Sequence, residues 1–181
     1  MDPLPTFALF PDPQRENVYQ KSSETCGVCK QARGVLYIGP KYGLSPVSDL
    51  AVCPWCIASG EAGKLGIEFN DVSVYTPPPD QERLNAEDRD LVAHRTPGYV
   101  TWQGNHWAMC CGRACIYLGE ADAVDLQGRW AEAVASMFAD QKWKPERIAD
   151  TVNNICRGES PAAYVFQCQV CRKLQGYWDL D

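Results

Sequence analysis

Ten cysteines in a chain of 181 residues, nine of them in four short groups, restrict the fold more than any other feature. The groups are Cys26-Gly-Val-Cys29, Cys53-Pro-Trp-Cys56, Cys110-Cys111-Gly-Arg-Ala-Cys115 and Cys168-Gln-Val-Cys171. Two thiols two residues apart can deliver a pair of sulfurs to one ion, or form a redox dithiol. Met1 to Phe10 has neither a basic leader nor an unbroken apolar run, and no stretch reaches transmembrane length. The expectation is therefore a cytoplasmic protein with no membrane partner, whose reduced thiols bind metal in preference to forming a disulfide framework.

Twenty-three residues separate Cys29 from Cys53. Between them Gly34–Gly39 reads as a strand, Pro40–Gly43 as a turn and Leu50–Val52 as a return strand, leading into a helix over Pro54–Leu65 with its proline in the first turn. A knuckle, a hairpin and a helix start can converge four thiolates on a tetrahedral Zn²⁺. Cys26, Cys29, Cys53 and Cys56 are therefore expected to form a treble-clef-like structural site. The competing reading makes Cys53-Pro-Trp-Cys56 an exchanging dithiol at a helix N-terminus, with a lowered thiol pKa. That reading leaves Cys26 and Cys29 without a role, whereas zinc uses all four.

The downstream groups suggest a second zinc site built from Cys111, Cys115, Cys168 and Cys171, with Cys110 as the alternative to Cys111, because neighbouring strand residues point in opposite directions. Tyr164–Phe166 and Gly176–Trp178 read as strands into and out of the second knuckle. Cys156 shares a helical face with Ile148, Val152 and Ile155 and is expected to be a small buried hydrophobe.

The remaining elements make an α+β protein. A treble-clef or zinc-knuckle-like N-terminal unit, residues 1–76, precedes a small antiparallel sheet with covering helices and the second cysteine cluster, residues 80–181. Thr76-Pro-Pro-Pro79 is a stiff connector between them. Asp80–Arg95 reads as a charged helix. Tyr99–Gln103, Gly104-Asn105 and His106–Met109 read as a hairpin, and helices are expected near Gly128–Gln141, with Trp130, Val134, Met137 and Phe138 inward, and near Pro145–Cys156.

No phosphate-cradling glycine loop, nucleophile elbow or HExxH motif occurs, and the two histidines, His94 and His106, have no sequence-local catalytic partner. The expectation is a protein that is not an enzyme. A net charge of −6, with no dense Lys/Arg cluster beside the knuckles, argues against a nucleic-acid surface. Acidic residues gather in two segments, Glu82, Glu87, Asp88 and Asp90 in one, Glu120, Asp122 and Asp125 in the other. With Trp102 and Trp107 as aromatic anchors, Glu87, Asp88 and Asp90 are the expected partner-binding residues.

The runs "CPWCIASGEAGKLGIEFND", "RTPGYVTWQGNHWAMCCGRACIYLG" and "YVFQCQVCRKLQGYW", with the opening "LPTFALFPDP", resemble the CbrC-like family of bacterial proteins, one member of which is associated with colicin tolerance. The family often has His-Cys where this chain has Cys110-Cys111, and a histidine where Phe10 stands. The resemblance implies a zinc-stabilised cytosolic protein that protects against a bacterial protein toxin by direct binding, the acidic balance suiting a basic nuclease as target. The alternatives are a zinc-ribbon-type nucleic-acid or transcription-linked binder and a CxxC thiol oxidoreductase.

Overall fold

The computed structural model describes residues 3–72 and 84–181. Tyr19–Lys21 (β1) and Val35–Tyr37 (β2) pair antiparallel, Tyr19 opposite Tyr37, and Tyr37 also bridges to Val52. The expected return strand at Leu50–Val52 is this single bridge, and β2 finds its main partner upstream of the first knuckle. Pro54–Ala58 forms α1, with Pro54 at its first position. The helix expected to reach Leu65 stops early because Gly60 turns left-handed (φ 78°), and a separate 3-10 turn follows at Gly63–Leu65.

Ala86–Arg95 forms α2, capped by the Asn85 side chain, which accepts from Asp88 N. At its far end Asn70 is buried and donates to the carbonyls of Val92 and Thr96, so that orphan acceptors at the helix terminus are satisfied by a side chain. Asp80–Arg83, like the connector Thr76–Pro79, lies outside the described residues.

The hairpin expected over Tyr99–Met109 does not form. Trp102 N and Gln103 N donate to Asp179 Oδ2, and the Asn105 side chain bonds Asp71 N and Asn70, so this backbone is held by side chains in place of a cross-strand ladder. Gly98 is required within it: a Cβ there would lie 2.1 Å from the Phe69 carbonyl oxygen. The hairpin lies just downstream, where Met109–Cys110 (β3) pairs with Arg113–Ala114 (β4).

Ile116–Ala121 (β5), Ala162–Gln167 (β6) and Leu174–Asp179 (β7) form an antiparallel sheet in the order β5-β6-β7. The uninterrupted apolar run Ala162–Phe166 makes β6 a central strand buried on both faces. Alternate residues feed two cores. Ala162, Tyr164 and Phe166 join Phe10, Tyr37, Tyr99, Trp107 and Tyr117, whereas Ala163 and Val165 join Ala121, Leu126, Trp130, Met137 and Ile155. Three helices contribute to the second core: Ala123–Gln127 (α3), Ala133–Met137 (α4) and Pro145–Asn153 (α5). Trp130, Met137 and Phe138 are buried as expected and Val134 is half-buried, but the expected helix is only Ala133–Met137, with Trp130 and Phe138 in the flanking turns. Cys156 is corrected: α5 ends before it, Ile155 takes the buried place, and the Cys156 thiol is exposed.

Candidate metal centres

Cys26-Gly-Val-Cys29 and Cys168-Gln-Val-Cys171 form the same backbone turn. In each, the residue after the second cysteine, Lys30 (φ 60°) or Arg172 (φ 63°), takes the left-handed conformation. Its N–H donates to the carbonyl of the first cysteine, at 2.9 Å for Lys30 to Cys26 and 3.2 Å for Arg172 to Cys168. Cys26 N and Cys168 N in turn donate to Gln31 O and Lys173 O, at 3.0 and 2.9 Å. Each turn points two sulfurs to one side.

The first turn faces the N-terminus of α1, with Gly27 N bonded to Ala51 O at 2.7 Å and Cys53 N to Cys26 Sγ at 3.3 Å. All four sulfurs of Cys26, Cys29, Cys53 and Cys56 lie within 4.8 Å of one another. The separations Cys26–Cys56, Cys29–Cys53 and Cys53–Cys56 are 3.8, 3.8 and 3.6 Å. A tetrahedron with metal–sulfur bonds of ~2.3 Å has edges of about 3.8 Å, and a disulfide would need about 2.05 Å. These spacings are those of four ligands around one ion. Cys26, Cys53 and Cys56 are buried and Cys29 partly so; Trp55, under the Arg33 guanidinium at 5.2 Å, packs against the same core.

The second centre is assembled from two hairpin tips. Cys110, Cys111, Cys168 and Cys171 have their sulfurs within 4.8 Å of one another, with Cys110–Cys111 at 3.9 Å and Cys110–Cys171 at 3.7 Å. This corrects the expected set, in which Cys110 and Cys111 were alternatives and Cys115 a ligand. The strand argument fails because Cys111 is not in a strand: Cys111 (φ 53°) and Gly112 (φ 69°) are the left-handed pair of the tight turn joining β3 to β4, which swings both sulfurs to one side. Cys115 lies beyond β4, fully buried, its carbonyl accepting from Trp107 Nε1 at 2.9 Å, and burial pushes its thiol up to about 12.

The electrostatics of both clusters are compatible with a bound cation. Burial opposes ionisation of Cys26, but the amides of Cys29, Cys53 and Val28 outweigh it and bring the thiol down to about 7. Burial raises its neighbour Cys53 to about 11 and Cys56 further, helped by the adjacent sulfurs. Likewise burial opposes Cys168, yet the amides of Cys171 and Val170 lower it to about 6, while burial and the sulfurs of Cys168 and Cys171 push Cys110 far up. One thiolate forms readily in each cluster and repels the next. A bound dication removes that repulsion, and four thiolate donors are the set a structural Zn²⁺ takes. Both clusters can therefore hold a metal ion.

The expected partner-binding residues are not one surface. Asp88 is fully buried, held by Arg113 and Ala114 N, and Trp107 is packed among Tyr99, Tyr117 and Phe166. Glu87 and Asp90 are exposed, the latter bonded to His94 Nδ1 at 2.9 Å, and Trp102 is 49% exposed. Of the second acidic segment, Asp122 caps α3, and Asp125 pairs with Arg129 and Arg157.

A family model described as "Uncharacterised protein family (UPF0167)" matches residues 4–180. The chain belongs to the UPF0167 family. It is 34% identical to the UPF0167 protein PA1536 of Pseudomonas aeruginosa, over 99% of this chain and 97% of that protein. It is 30% identical to the UPF0167 proteins Mb2317 of Mycobacterium bovis and MT2352 of Mycobacterium tuberculosis, over 97% of this chain and 93% of theirs. No solved structure matches this UPF0167 chain. Among its described residues no helix is long and apolar enough to cross a membrane.

Proposed function

We propose that this UPF0167 protein is a non-enzymatic, zinc-stabilised cytoplasmic protein that binds a bacterial protein toxin and blocks it. The observation that carries the zinc-stabilised, non-catalytic part is the tetrathiolate composition of both clusters: each ion would be saturated by four sulfurs, leaving no position for water or substrate. The partner rests on other ground, the resemblance to the CbrC-like family, one member of which is associated with colicin tolerance, and a net charge of −6 suited to a basic target. Because Asp88 and Trp107 belong to the interior, the docking residues of this reading reduce to Glu87, Asp90 and Trp102.

The test is challenge of cells expressing the protein with any toxin encoded beside its gene, followed by binding kinetics with a toxin whose activity it suppresses. Protection, with association slowed by salt and by charge reversal at Glu87 and Asp90, is the expected result. Absence of protection together with tight binding to DNA or RNA at physiological salt would replace this reading with the zinc-ribbon one. Disulfide exchange retained by a stable Cys29→Ser variant would replace it with the oxidoreductase.

A further inference from the structure

We infer that the two centres differ in kind: the first is locked, and the second, Cys110-Cys111-Cys168-Cys171, is an exchangeable surface site that gives up Zn²⁺, or takes a softer thiophilic cation such as Cd²⁺, on the folded protein. This rests on the reading that both clusters bind metal and adds to it which one is open.

Ligand exchange at a saturated d¹⁰ ion requires an incoming donor to approach as one thiolate leaves, so access to the sulfurs sets the rate. Around the first centre three of four cysteines are buried and the fourth half-buried. Leu50, Trp55 and Val28 pack beside them against the main core. Around the second, Cys111 and Cys171 are exposed, Cys110 is half-buried, and only Cys168 is buried. Val170, inside the knuckle, is 61% exposed and covers nothing. An entering thiol or chelator meets Cys111 and Cys171 directly. Cys110, Cys111, Cys168 and Cys171 would hold the ion, and an entering thiolate or chelator nitrogen would take the place of the Cys111 sulfur, whose thiolate would be released to solvent.

The second requirement is a scaffold that survives the loss. Both tips of the second centre are held by bonds that involve no metal. Arg113 and Ala114 N bind Asp88, Gln169 Nε2 donates to Ala114 O at 2.7 Å, and the second knuckle closes the six-residue strands β6 and β7 in continuous register from Ala162↔Asp179 to Gln167↔Leu174. At the first centre the bonds that involve no metal, Gly27 N to Ala51 O at 2.7 Å and Tyr37 N to Val52 O at 2.8 Å, link shorter elements. This centre joins a three-residue strand pair to a five-residue helix, elements too short to persist unless the ion ties them together.

Zinc-loaded protein is mixed with the chromophoric chelator 4-(2-pyridylazo)resorcinol without denaturant, while circular dichroism follows the fold and iodoacetamide with peptide mass mapping follows the thiols. One equivalent of zinc should leave with the fold intact, exposing Cys110, Cys111 and Cys171 to alkylation, and the other only on unfolding; Cys156 should label from the outset. Cys111→Ser should bind one equivalent and lack the fast phase. Release of both ions only with unfolding, or labelling of Cys26, Cys29, Cys53 or Cys56 before the second group, overturns the inference and leaves the metal reading standing. Protein that binds no zinc at either cluster overturns both.

Discussion

Arg113 grips Asp88 at two points, Nε to Oδ2 at 2.7 Å and Nη2 to Oδ1 at 2.9 Å, with the carboxylate fully buried and the guanidinium half-exposed. A fork-to-fork pair of this kind has one geometry and fixes orientation as well as position. Asp88 stands in the first turn of α2 and also accepts from Ala114 N at 2.8 Å, so one carboxylate bolts the β3–β4 tip, with two cysteines of the second centre, to a helix N-terminus.

The hydrogen bonds of Arg113 hold the Asp88 carboxyl below its ordinary value. A depressed carboxylate stabilises the fold fully above its unfolded pKa of about 3.9, and that contribution fades as pH falls through the lower folded value. Asp88→Asn should therefore lower stability by about 1–2 kcal/mol at pH 7, measured by urea unfolding. The gap to wild type should close only below about pH 4. Equal midpoints at pH 7 would refute the pair's role.

Metal analysis of protein purified without added zinc should find two equivalents per chain, and strong chelation followed by heating should abolish cooperative unfolding, since structural zinc contributes on the order of 10 kcal/mol. Cys115→Ala tests the ligand set. It should leave zinc content at two and cost only the packing of a small buried side chain, about 1 kcal/mol. Loss of an equivalent would restore Cys115 as a ligand. Cys156→Ser, at an exposed position, should change neither zinc content nor stability beyond about 0.5 kcal/mol.

Gly98→Ala should be among the costliest single substitutions outside the centres. The added methyl meets a backbone carbonyl at 2.1 Å and the Tyr37 hydroxyl at 3.1 Å, and that hydroxyl already accepts from Gly98 N at 2.9 Å. Neither can yield without opening the core around Tyr37, so a loss of roughly 2–4 kcal/mol is expected in thermal or urea unfolding. A neutral effect would mean that the Phe69 backbone moves freely.

Arg172→Gly should act in the opposite sense. Arg172 is exposed and sits at φ 63°, a conformation that costs an L-residue about 1 kcal/mol and glycine nothing. The variant should gain up to about 1 kcal/mol less the extra entropy of the unfolded glycine, with zinc content unchanged. A clear loss of stability would show that the arginine side chain holds the knuckle by contacts of its own.

The α+β class, the eight-thiol arithmetic and the first ligand set were legible because they depend on local spacing: CxxC knuckles close within six residues, and Pro54 marks a helix start. The second ligand set was not, because joining Cys110 to Cys111 in place of Cys115 turns on φ at Cys111 and Gly112, and the reading of adjacent cysteines as strand residues excludes that turn. Asp88 looked like surface because its neighbours Glu87, Arg89 and Asp90 are surface; only a partner twenty-five residues away explains its burial. Trp107 was misplaced with the hairpin it was assigned to. The true turn begins three residues later, at Cys110, and Trp107 then falls inside the aromatic cluster of Tyr99, Tyr117 and Phe166.

Since β6 is the wall shared by both cores, neither can close while the chain is still emerging from the ribosome short of Ala162. Phe7, Leu9 and Phe10, among the earliest residues made, must wait for Tyr164 and Phe166, and Cys110 and Cys111 for Cys168. At translation rates of about 5–20 residues per second, the nascent chain spends about 8–30 s with Phe10 uncovered and about 3–11 s with half of its second thiol set unmatched. Chaperone contact in that interval would fall on the uncovered aromatic residues, and metal delivery on the first centre, whose four cysteines are all made by residue 56.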